Sequence, residues 1–262
     1  MASEHQYVKA TVRDQTLHVK IDRANKHNAL SSKVLSELKR VFDLHRESSS
    51  LKLALLQGEG QRSFAAGGDL RELDQVRSEE AARSMSCDSR DVLDAIRSFP
   101  VPVIAVLNGD ALGGGAELAV ACDARIAAHH ARIGFIQGKL AISTAWGGGV
   151  DLMKLVGPTK ALQLLSRSEM LNAKEALNIG LVNAVSDEHT GLAETVDAYI
   201  EPILKLAPQV LRAFKSLAHG VRSNLNEDRL RELETEHLVS TWTHEDHWLA
   251  ASGILKKKDS ND

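Results

Sequence analysis

Apolar and polar positions at the start of the chain follow two periods, one of two residues and one near 3.6. Residues 7–12 and 17–21 alternate apolar with polar side chains, which predicts two strands joined by a short turn. Apolar side chains then recur on one face up to His45, which predicts a helix capped by Ser31 or Ser32. The chain therefore begins with a strand pair followed by an amphipathic helix.

Strands and helices continue to alternate through the middle of the chain, which predicts a parallel sheet with helical crossovers. The predicted elements are strands at 51–57, 102–107 and 124–127, and helices from near Asp69, over 81–97 and from Glu117 to Cys122. Beyond Gly157 the helical period dominates. The helices predicted there cover residues 159–165, 173–179, 192–206, 208–220 and 229–255.

Composition excludes several classes of protein. The chain has 262 residues, a net charge of -3 and 4% aromatic residues, which argues against nucleic acid as a partner. No stretch reaches the roughly 18 apolar residues of a membrane span, and the first residues do not resemble a signal peptide. Cys87 and Cys122 are predicted to be reduced, which favours a cytoplasmic location. The basic run at residues 256–258 is expected to be solvated.

Glycine-rich turns follow two of the short apolar strands, at residues 64–69 and 108–117. Each turn delivers small residues and unpaired backbone N–H groups to the start of a helix, where negative charge is stabilised. Two N–H groups that converge on one oxygen form an oxyanion hole. Tight packing between strand and helix is the alternative explanation for one such turn. Two such turns, with Glu117 after the second, favour an oxyanion hole over packing.

Glu117 lies one turn inside its predicted helix, among apolar neighbours. It is predicted either to interact with the helix dipole or to act as a buried acid or base with a raised pKa. The chain lacks a phosphate-binding loop and a nucleophile elbow. The histidines near residues 129–130 and 244–247 are interpreted as surface residues, so no metal site is predicted.

Four segments resemble the motifs of the crotonase superfamily, the enoyl-CoA hydratase/isomerase family, and the resemblance extends over residues 8–258. The segments are residues 22–30, Asp-Arg-Ala-Asn-Lys-His-Asn-Ala-Leu; 64–70, Phe-Ala-Ala-Gly-Gly-Asp-Leu; 108–123, from Asn-Gly-Asp to Cys-Asp; and 176–182, Ala-Leu-Asn-Ile-Gly-Leu-Val.

The resemblance implies an α/β fold, a crotonase-like spiral of ββα units over residues 1–190, and a C-terminal helical region over 191–262 that builds a homotrimer or a hexamer. It implies a coenzyme A thioester as substrate and no separate cofactor. The oxyanion hole would be formed by the N–H groups of Gly68 and Gly114, with Glu117 at the reacting atoms. The residues that it places near the acyl-CoA are Ala24, Lys26, Ala66, Asp69, Leu70, Arg71 and Trp146.

Position 137 departs from the family pattern. Hydratases of the family use a second glutamate there, whereas this chain has Gln137. An amide cannot transfer a proton at neutral pH, so Gln137 argues against ordinary hydratase and isomerase activity. Asp110 is also unusual for the family and is interpreted as a solvated turn residue rather than a second site carboxylate.

Trp146-Gly147-Gly148 and the pattern from Trp242 to Trp248 resemble the branch that contains ethylmalonyl-CoA decarboxylase. The broad prediction is therefore an enzyme of the enoyl-CoA hydratase/isomerase family, which acts on an acyl-CoA through an enolate-like intermediate. A decarboxylase of a malonyl-type acyl-CoA is the first alternative, because loss of CO2 forms the enolate without a base. A non-catalytic CoA-binding subunit is the second.

Overall fold

The computed structural model describes residues 6–259, and it describes side chains up to Ile254. The expectations for the first five residues and for the lysines at 256–258 therefore lie outside the described part of the chain. Within that part, none of the helices combines the length and the apolar character that crossing a membrane would require.

The strands form two sheets. In chain order they are β1 (Val8–Arg13), β2 (Thr16–Ile21), β3 (Leu53–Gly58), β4 (Ser63–Ala65), β5 (Val103–Leu107), β6 (Asp110–Leu112), β7 (Ala124–Ala127), β8 (Arg132–Gly134), β9 (Met170–Asn172) and β10 (Ala184–Val185). The larger sheet has the order β1-β2-β3-β5-β7-β10 and is parallel except for the β1–β2 hairpin. The predicted hairpin and the predicted parallel sheet are both confirmed.

The helices cover the sheets and extend the C-terminal third of the chain. They are α1 (Ser32–His45), α2 (Leu70–Leu73), α3 (Glu79–Arg97), α4 (Gly114–Ala121), α5 (Gly148–Val156), α6 (Pro158–Arg167), α7 (Ala173–Asn178), α8 (Leu192–Leu204), α9 (Pro208–Arg222), α10 (Glu227–Trp242) and α11 (Glu245–Asp259). Ser31 caps α1, because its side chain accepts a hydrogen bond from the Val34 N–H.

The larger sheet is buried on both faces, which explains why its central strands read as unbroken apolar runs. Along β5, Val103 and Ala105 pack into the core cluster that contains α1 and α3, whereas Ile104 and Val106 pack against α8 on the opposite face. This alternation follows from the two-residue period of a strand. Each fully buried aliphatic side chain contributes about 1.5–3 kcal/mol, so these strands form the stable frame of the fold.

The smaller sheet, of order β4-β6-β8-β9, positions the candidate site. Its first three strands are parallel, so their carboxyl ends lie at one edge. The two glycine turns and the segment that contains Gln137 all leave the sheet there. These strands are three residues long, too short for the hydrophobic pattern to reveal.

The helix α4 is buried along all 8 of its residues and is held at its carboxyl end by α9. Arg222 donates hydrogen bonds to the backbone oxygens of Val120 and Ala121, and Lys215 pairs with Asp123 at 2.6 Å. Positive side chains are favourable at a helix carboxyl end. The C-terminal helices therefore brace the helix that carries Glu117.

The prediction of a single helix over residues 229–255 is wrong. The segment forms α10 and α11, which are separated at Thr243 and His244. The Nδ1 atom of His244 accepts a hydrogen bond from the Asp246 N–H and so caps the second helix. Apolar periodicity continues through such a break and does not detect it.

Candidate active site

The first glycine turn connects β4 to α2 and is fixed by polar contacts. Gly67 has a φ of +97°, and a Cβ built there would lie 3.0 Å from the Leu112 oxygen, so the position requires glycine. The Leu30 N–H donates to the Gly67 oxygen at 2.8 Å. Asp69 caps α2 through the Arg71 N–H and accepts a 2.7 Å bond from Arg23. The hydrogen bond from Arg23 favours the charged form of the Asp69 carboxyl and so holds its pKa below the ordinary value of an aspartate.

The second glycine turn connects β6 to α4 and is almost entirely buried. Gly113 has a φ of +54°, and its N–H donates to the Gly134 oxygen at 2.9 Å. A Cβ built on Gly115 would lie 2.0 Å from the Ala65 oxygen, so the two turns touch there without room for a side chain. Glycine is needed in the second turn both for backbone conformation and for this close approach.

The N–H groups of Gly68 and Gly114 have no acceptor among residues 6–259. The two turns lie side by side, because the Cβ position of Gly67 is 3.4 Å from the Gly114 nitrogen. Gly114 is also the first residue of α4, where the helix dipole favours negative charge. The arrangement can stabilise an oxygen that becomes anionic.

Glu117 is 2% exposed, as the apolar pattern around it predicts. Its Oε2 accepts bonds of 2.9 Å from the backbone N–H groups of Trp146 and Gly148, and its Oε1 accepts one of 2.9 Å from Nε2 of Gln137. Burial raises the pKa of Glu117 above the ordinary value of a glutamate, while these hydrogen bonds act in the opposite direction.

Gln137 lies directly beside Glu117 and is itself 8% exposed. Its amide nitrogen bonds to Glu117, whereas its buried Oε1 has no partner in the described part of the chain. Where the motif resemblance leads us to expect a second carboxyl group, Gln137 instead donates to Glu117 and presents one free acceptor. In this pair of side chains, Glu117 is therefore the group that can transfer a proton.

Trp146 joins Glu117 to the glycine turns, and its backbone is fixed by charged residues far apart in the chain. The Trp146 oxygen accepts a 3.0 Å bond from Arg97, whose Nε donates to Asp151 at 2.9 Å. Arg222 donates to the other oxygen of Asp151 at 3.0 Å. Sequence reasoning missed this network, because the residues lie on three helices and each alone resembles an ordinary surface charge.

The remaining residues predicted to contact the acyl-CoA lie at the surface around the first turn. Ala24, Lys26, Ala66, Leu70 and Arg71 are all exposed. The Ala66 N–H donates to the backbone oxygen of His27 at 3.1 Å, so the loops that carry Ala24 and Ala66 are neighbours. Their exposure leaves them free to contact a ligand.

Asp110 is not a solvated turn residue, and it is not part of the Glu117 site. It begins β6 and accepts bonds of 3.1 Å from the backbone and the Nε of Arg132 on β8. It lies at the amino end of the small sheet, whereas the glycine turns leave the carboxyl end. Among residues 6–259, no group of three or more histidine, cysteine or acidic side chains is placed to hold a metal ion.

Comparison with known proteins identifies the family. The sequence pattern of the family described as enoyl-CoA hydratase/isomerase matches residues 12–259. The chain belongs to this family. The resemblance of its motifs to the crotonase superfamily is thereby confirmed, and the ββα architecture agrees with it.

Individual relatives in the enoyl-CoA hydratase/isomerase family carry different activities in their names. The chain is 34% identical to a crotonyl-CoA hydratase of Syntrophomonas wolfei, over 92% of each chain. It is 32% identical to an ethylmalonyl-CoA decarboxylase of Mus musculus, over 85% of this chain and 69% of that protein. Its fold matches that of an enoyl-CoA hydratase from Bacillus anthracis with a TM-score of 0.89 and 29% identity, over 96% of this chain and 97% of that one.

Proposed function

We propose that the protein binds an acyl-CoA thioester with its carbonyl oxygen at the N–H groups of Gly68 and Gly114. The two unpaired donors lie in adjacent glycine turns, one of them at the start of α4, and they support this position for an oxygen that becomes negative. An enolate formed there would be stabilised most strongly as its charge develops, which is the requirement for catalysis. Coenzyme A arrives as part of the substrate, and the proposal needs no separate cofactor.

The reaction that the geometry favours is decarboxylation of a malonyl-type acyl-CoA. The observation that carries it is the hydrogen bond from Gln137 to Glu117. The motif resemblance places Gln137 where hydratases have their second glutamate. Hydration needs one group to activate water and another to deliver a proton to the α-carbon. Decarboxylation needs only stabilisation of the enolate and one proton donor.

The proposed step is balanced in electrons and protons. The bond between the α-carbon and the carboxylate breaks, CO2 leaves, and the electron pair of that bond becomes the enolate, with its charge on the thioester oxygen. Glu117 in its neutral form, or a water that it orients, then donates a proton to the α-carbon. The Glu117 carboxylate regains a proton from solvent.

Hydration of an enoyl-CoA is the second candidate, and similarity to a crotonyl-CoA hydratase over 92% of the chain favours it. In this reaction, Glu117 would have to serve both proton transfers. Gln137 could orient the water through its free Oε1, but it could not accept a proton from it.

The test is to incubate the purified protein with ethylmalonyl-CoA or methylmalonyl-CoA and, separately, with crotonyl-CoA. CO2 release without loss of the enoyl absorbance is the expected result, and rapid hydration of crotonyl-CoA would contradict it. Binding of CoA thioesters with no turnover of any of them would instead support the non-catalytic CoA-binding alternative. The matched variant Gln137→Glu restores the second carboxylate and is expected to increase hydration.

Glu117→Gln tests the role of the carboxylate. Loss of the proton donor is expected to lower kcat by about 10²–10⁴-fold. Because the donor must be neutral, kcat/KM of the wild type is expected to fall as the pH rises through the pKa of Glu117, which burial raises. A Glu117→Gln variant that retains the wild-type rate and pH profile would remove Glu117 from the mechanism.

We also propose that the chain assembles into a homotrimer or a dimer of trimers. The support is a set of exposed apolar side chains on the C-terminal helices: Phe214, Val221, Leu238, Val239, Trp242, Trp248 and Leu249. Large apolar patches mark association surfaces. Light scattering is expected to give three or six times the 28.5 kDa of one chain, and a monomer would contradict the proposal.

A further inference from the structure

The indole of Trp146 lies directly against both glycine turns. A Cβ built on Gly114 would lie 2.4 Å from Cζ3 of the indole, and one built on Gly68 would lie 3.9 Å from its Cη2. The ring is 6% exposed. It therefore forms the wall next to the place proposed for the thioester oxygen.

Trp146 also lines a cavity of about 560 Å³ between α1, α2 and α3. Leu35, Leu73, Val76 and Met85 supply much of its apolar surface. Neither Gly68, Gly114, Glu117 nor Gln137 lines it. A cavity of this size falls in the range of small-molecule sites. Trp146 and Leu73 both line it and both lie against the Cβ position of Gly68.

Trp146 is held in place on both sides of its peptide. Its N–H donates to Glu117 at 2.9 Å, and its oxygen accepts the 3.0 Å bond from Arg97. The side chain of Arg97 is in turn fixed by Asp151. These bonds fix the Trp146 backbone between the Glu117 carboxylate and Arg97, and with it the point from which the indole extends toward the glycine turns.

We propose that Trp146 limits the substrate to short acyl groups by separating the oxyanion hole from this cavity. The inference rests on the proposed function and adds a specificity-determining residue to it. A longer chain attached to a thioester at Gly68 and Gly114 would meet the indole before it reached the cavity. Removal of the indole would join the two spaces.

The charge around the cavity defines the kind of chain that it would accept. Asp69, Glu72 and Asp88 line it, and neither lysine nor arginine occurs among its described lining residues, although Asp69 pairs with Arg23. The Glu72 carboxylate is partly satisfied by the Ser32 N–H at 3.0 Å. A second carboxylate at the end of the acyl chain would be repelled, so the chain that enters the opened cavity is neutral and aliphatic.

The experiment compares kcat/KM for substrates whose acyl chain grows by one methylene at a time, from four to eight carbons. Wild-type activity is expected to fall with length. In Trp146→Ala it is expected to rise by about fourfold per added methylene, the gain for burying one such group. Trp146→Leu keeps an apolar side chain and is expected to shift the preference in the same direction by less.

A second substitution tests whether the added chain enters this particular cavity. Ala81 lines the cavity on α3, away from the glycine turns. Adding Ala81→Phe to Trp146→Ala is expected to remove the gain for long chains, whereas Ala81→Phe alone is expected to leave the wild-type chain-length preference unchanged. A long-chain gain that survives Ala81→Phe would overturn the assignment of the cavity.

Binding of butyryl-CoA and octanoyl-CoA, measured by calorimetry, separates this inference from the proposed reaction. Both thioesters lack the malonyl carboxylate and the double bond, so they bind without turnover. Preference for butyryl-CoA in the wild type and for octanoyl-CoA in Trp146→Ala would support the role of Trp146 even if decarboxylation were absent. Equal affinities in the wild type, or no binding of either thioester, would overturn it.

Discussion

The two glycine turns offer the same chemical group, an unpaired N–H, from different surroundings. The first turn is attached by polar contacts and is bordered by exposed side chains such as Ala66 and Leu70. The second opens the fully buried helix α4 and contacts the indole of Trp146. One donor therefore lies at an adaptable edge, and the other belongs to the rigid core.

This difference separates substrate access from precise positioning. The exposed turn leaves room for a large ligand to approach. The buried turn fixes the donor, the Glu117 carboxylate and Trp146 relative to one another, because all three share contacts within a closely packed region. Substitutions in the second turn are therefore expected to have larger effects than substitutions in the first.

Gly115→Ala is expected to have the largest effect, because it acts where the two turns touch. The new Cβ would lie 2.0 Å from the Ala65 oxygen and 2.7 Å from its carbonyl carbon, so the backbone of β4 would have to move. Overpacking of this kind is expected to lower the free energy of unfolding by about 3 kcal/mol or more. Denaturation by urea measures it.

Gly253→Ala is the matched control for that substitution. A Cβ at position 253 in α11 meets no described atom within 4 Å. Alanine is preferred to glycine inside a helix, so the free energy of unfolding is expected to rise by up to about 1 kcal/mol. Equal stability of the Gly115→Ala and Gly253→Ala variants would show that the turns are not packed as described.

Gly114→Ala and Gly68→Ala compare the two donors directly. At Gly114 the new Cβ would lie 2.4 Å from the indole of Trp146, whose displacement would also disturb Glu117, so kcat is expected to fall by about 10²-fold or more. At Gly68 the nearest atom is Cδ1 of Leu73, at 2.6 Å, and it is the end of a flexible side chain. Its kcat is expected to stay within about tenfold of the wild type.

Steady-state kinetics with the same substrate measures both alanine variants, and circular dichroism checks that both are folded. A larger loss in Gly68→Ala than in Gly114→Ala would reverse the ranking of the two turns. Similar losses would show that Leu73 is as confined as the indole.

The sequence was sufficient to predict the frame and the two glycine turns. The two-residue period identified the hairpin, unbroken apolar runs identified the central buried strands, and glycines after short strands indicated backbone that approaches another group closely. The positions of Glu117 and Gln137 could be aligned with the family motifs, which predicted that they would be neighbours in function. Their direct hydrogen bond could be seen only in the structure, because the small sheet brings α4 and the turn after β8 together.

The contacts that hold Trp146 could not be predicted in the same way. Arg97 lies at the end of an amphipathic helix, where a basic residue is ordinary, and Asp151 and Arg222 show no common spacing with it. Their burial results from the packing of α3, α5 and α9, which single-residue patterns do not encode. For the same reason, the sequence could not show that Asp110 pairs with a neighbouring strand.

Asp69→Asn weakens the polar attachment of the first turn and tests its dependence on pH. Because the Arg23 bond lowers the pKa of Asp69 in the folded state, the stabilisation is present above the ordinary aspartate pKa and is lost as the pH falls through the folded value. The free energy of unfolding is expected to drop by about 1 kcal/mol at pH 7. The gap from the wild type should close as the pH falls below the ordinary pKa of aspartate and through the lower folded value. Asp74→Asn, which removes an exposed ion pair with Arg77, should show neither effect.

The smallest effects are expected at the exposed edge of the first turn, in Lys26→Ala and Arg71→Ala. Both side chains are solvent-exposed, and exposed charge contacts contribute about 1 kcal/mol or less. Loss of a contact to a CoA phosphate would therefore raise KM by no more than about fivefold and leave kcat unchanged. The increase should shrink at high salt, because salt screens such contacts. Lys205→Ala, directly after the distant helix α8, is the matched control and should change neither constant. A fall in kcat for Lys26→Ala or Arg71→Ala would mean that the exposed turn also positions the reacting atoms, and the division between an adaptable edge and a rigid core would fail.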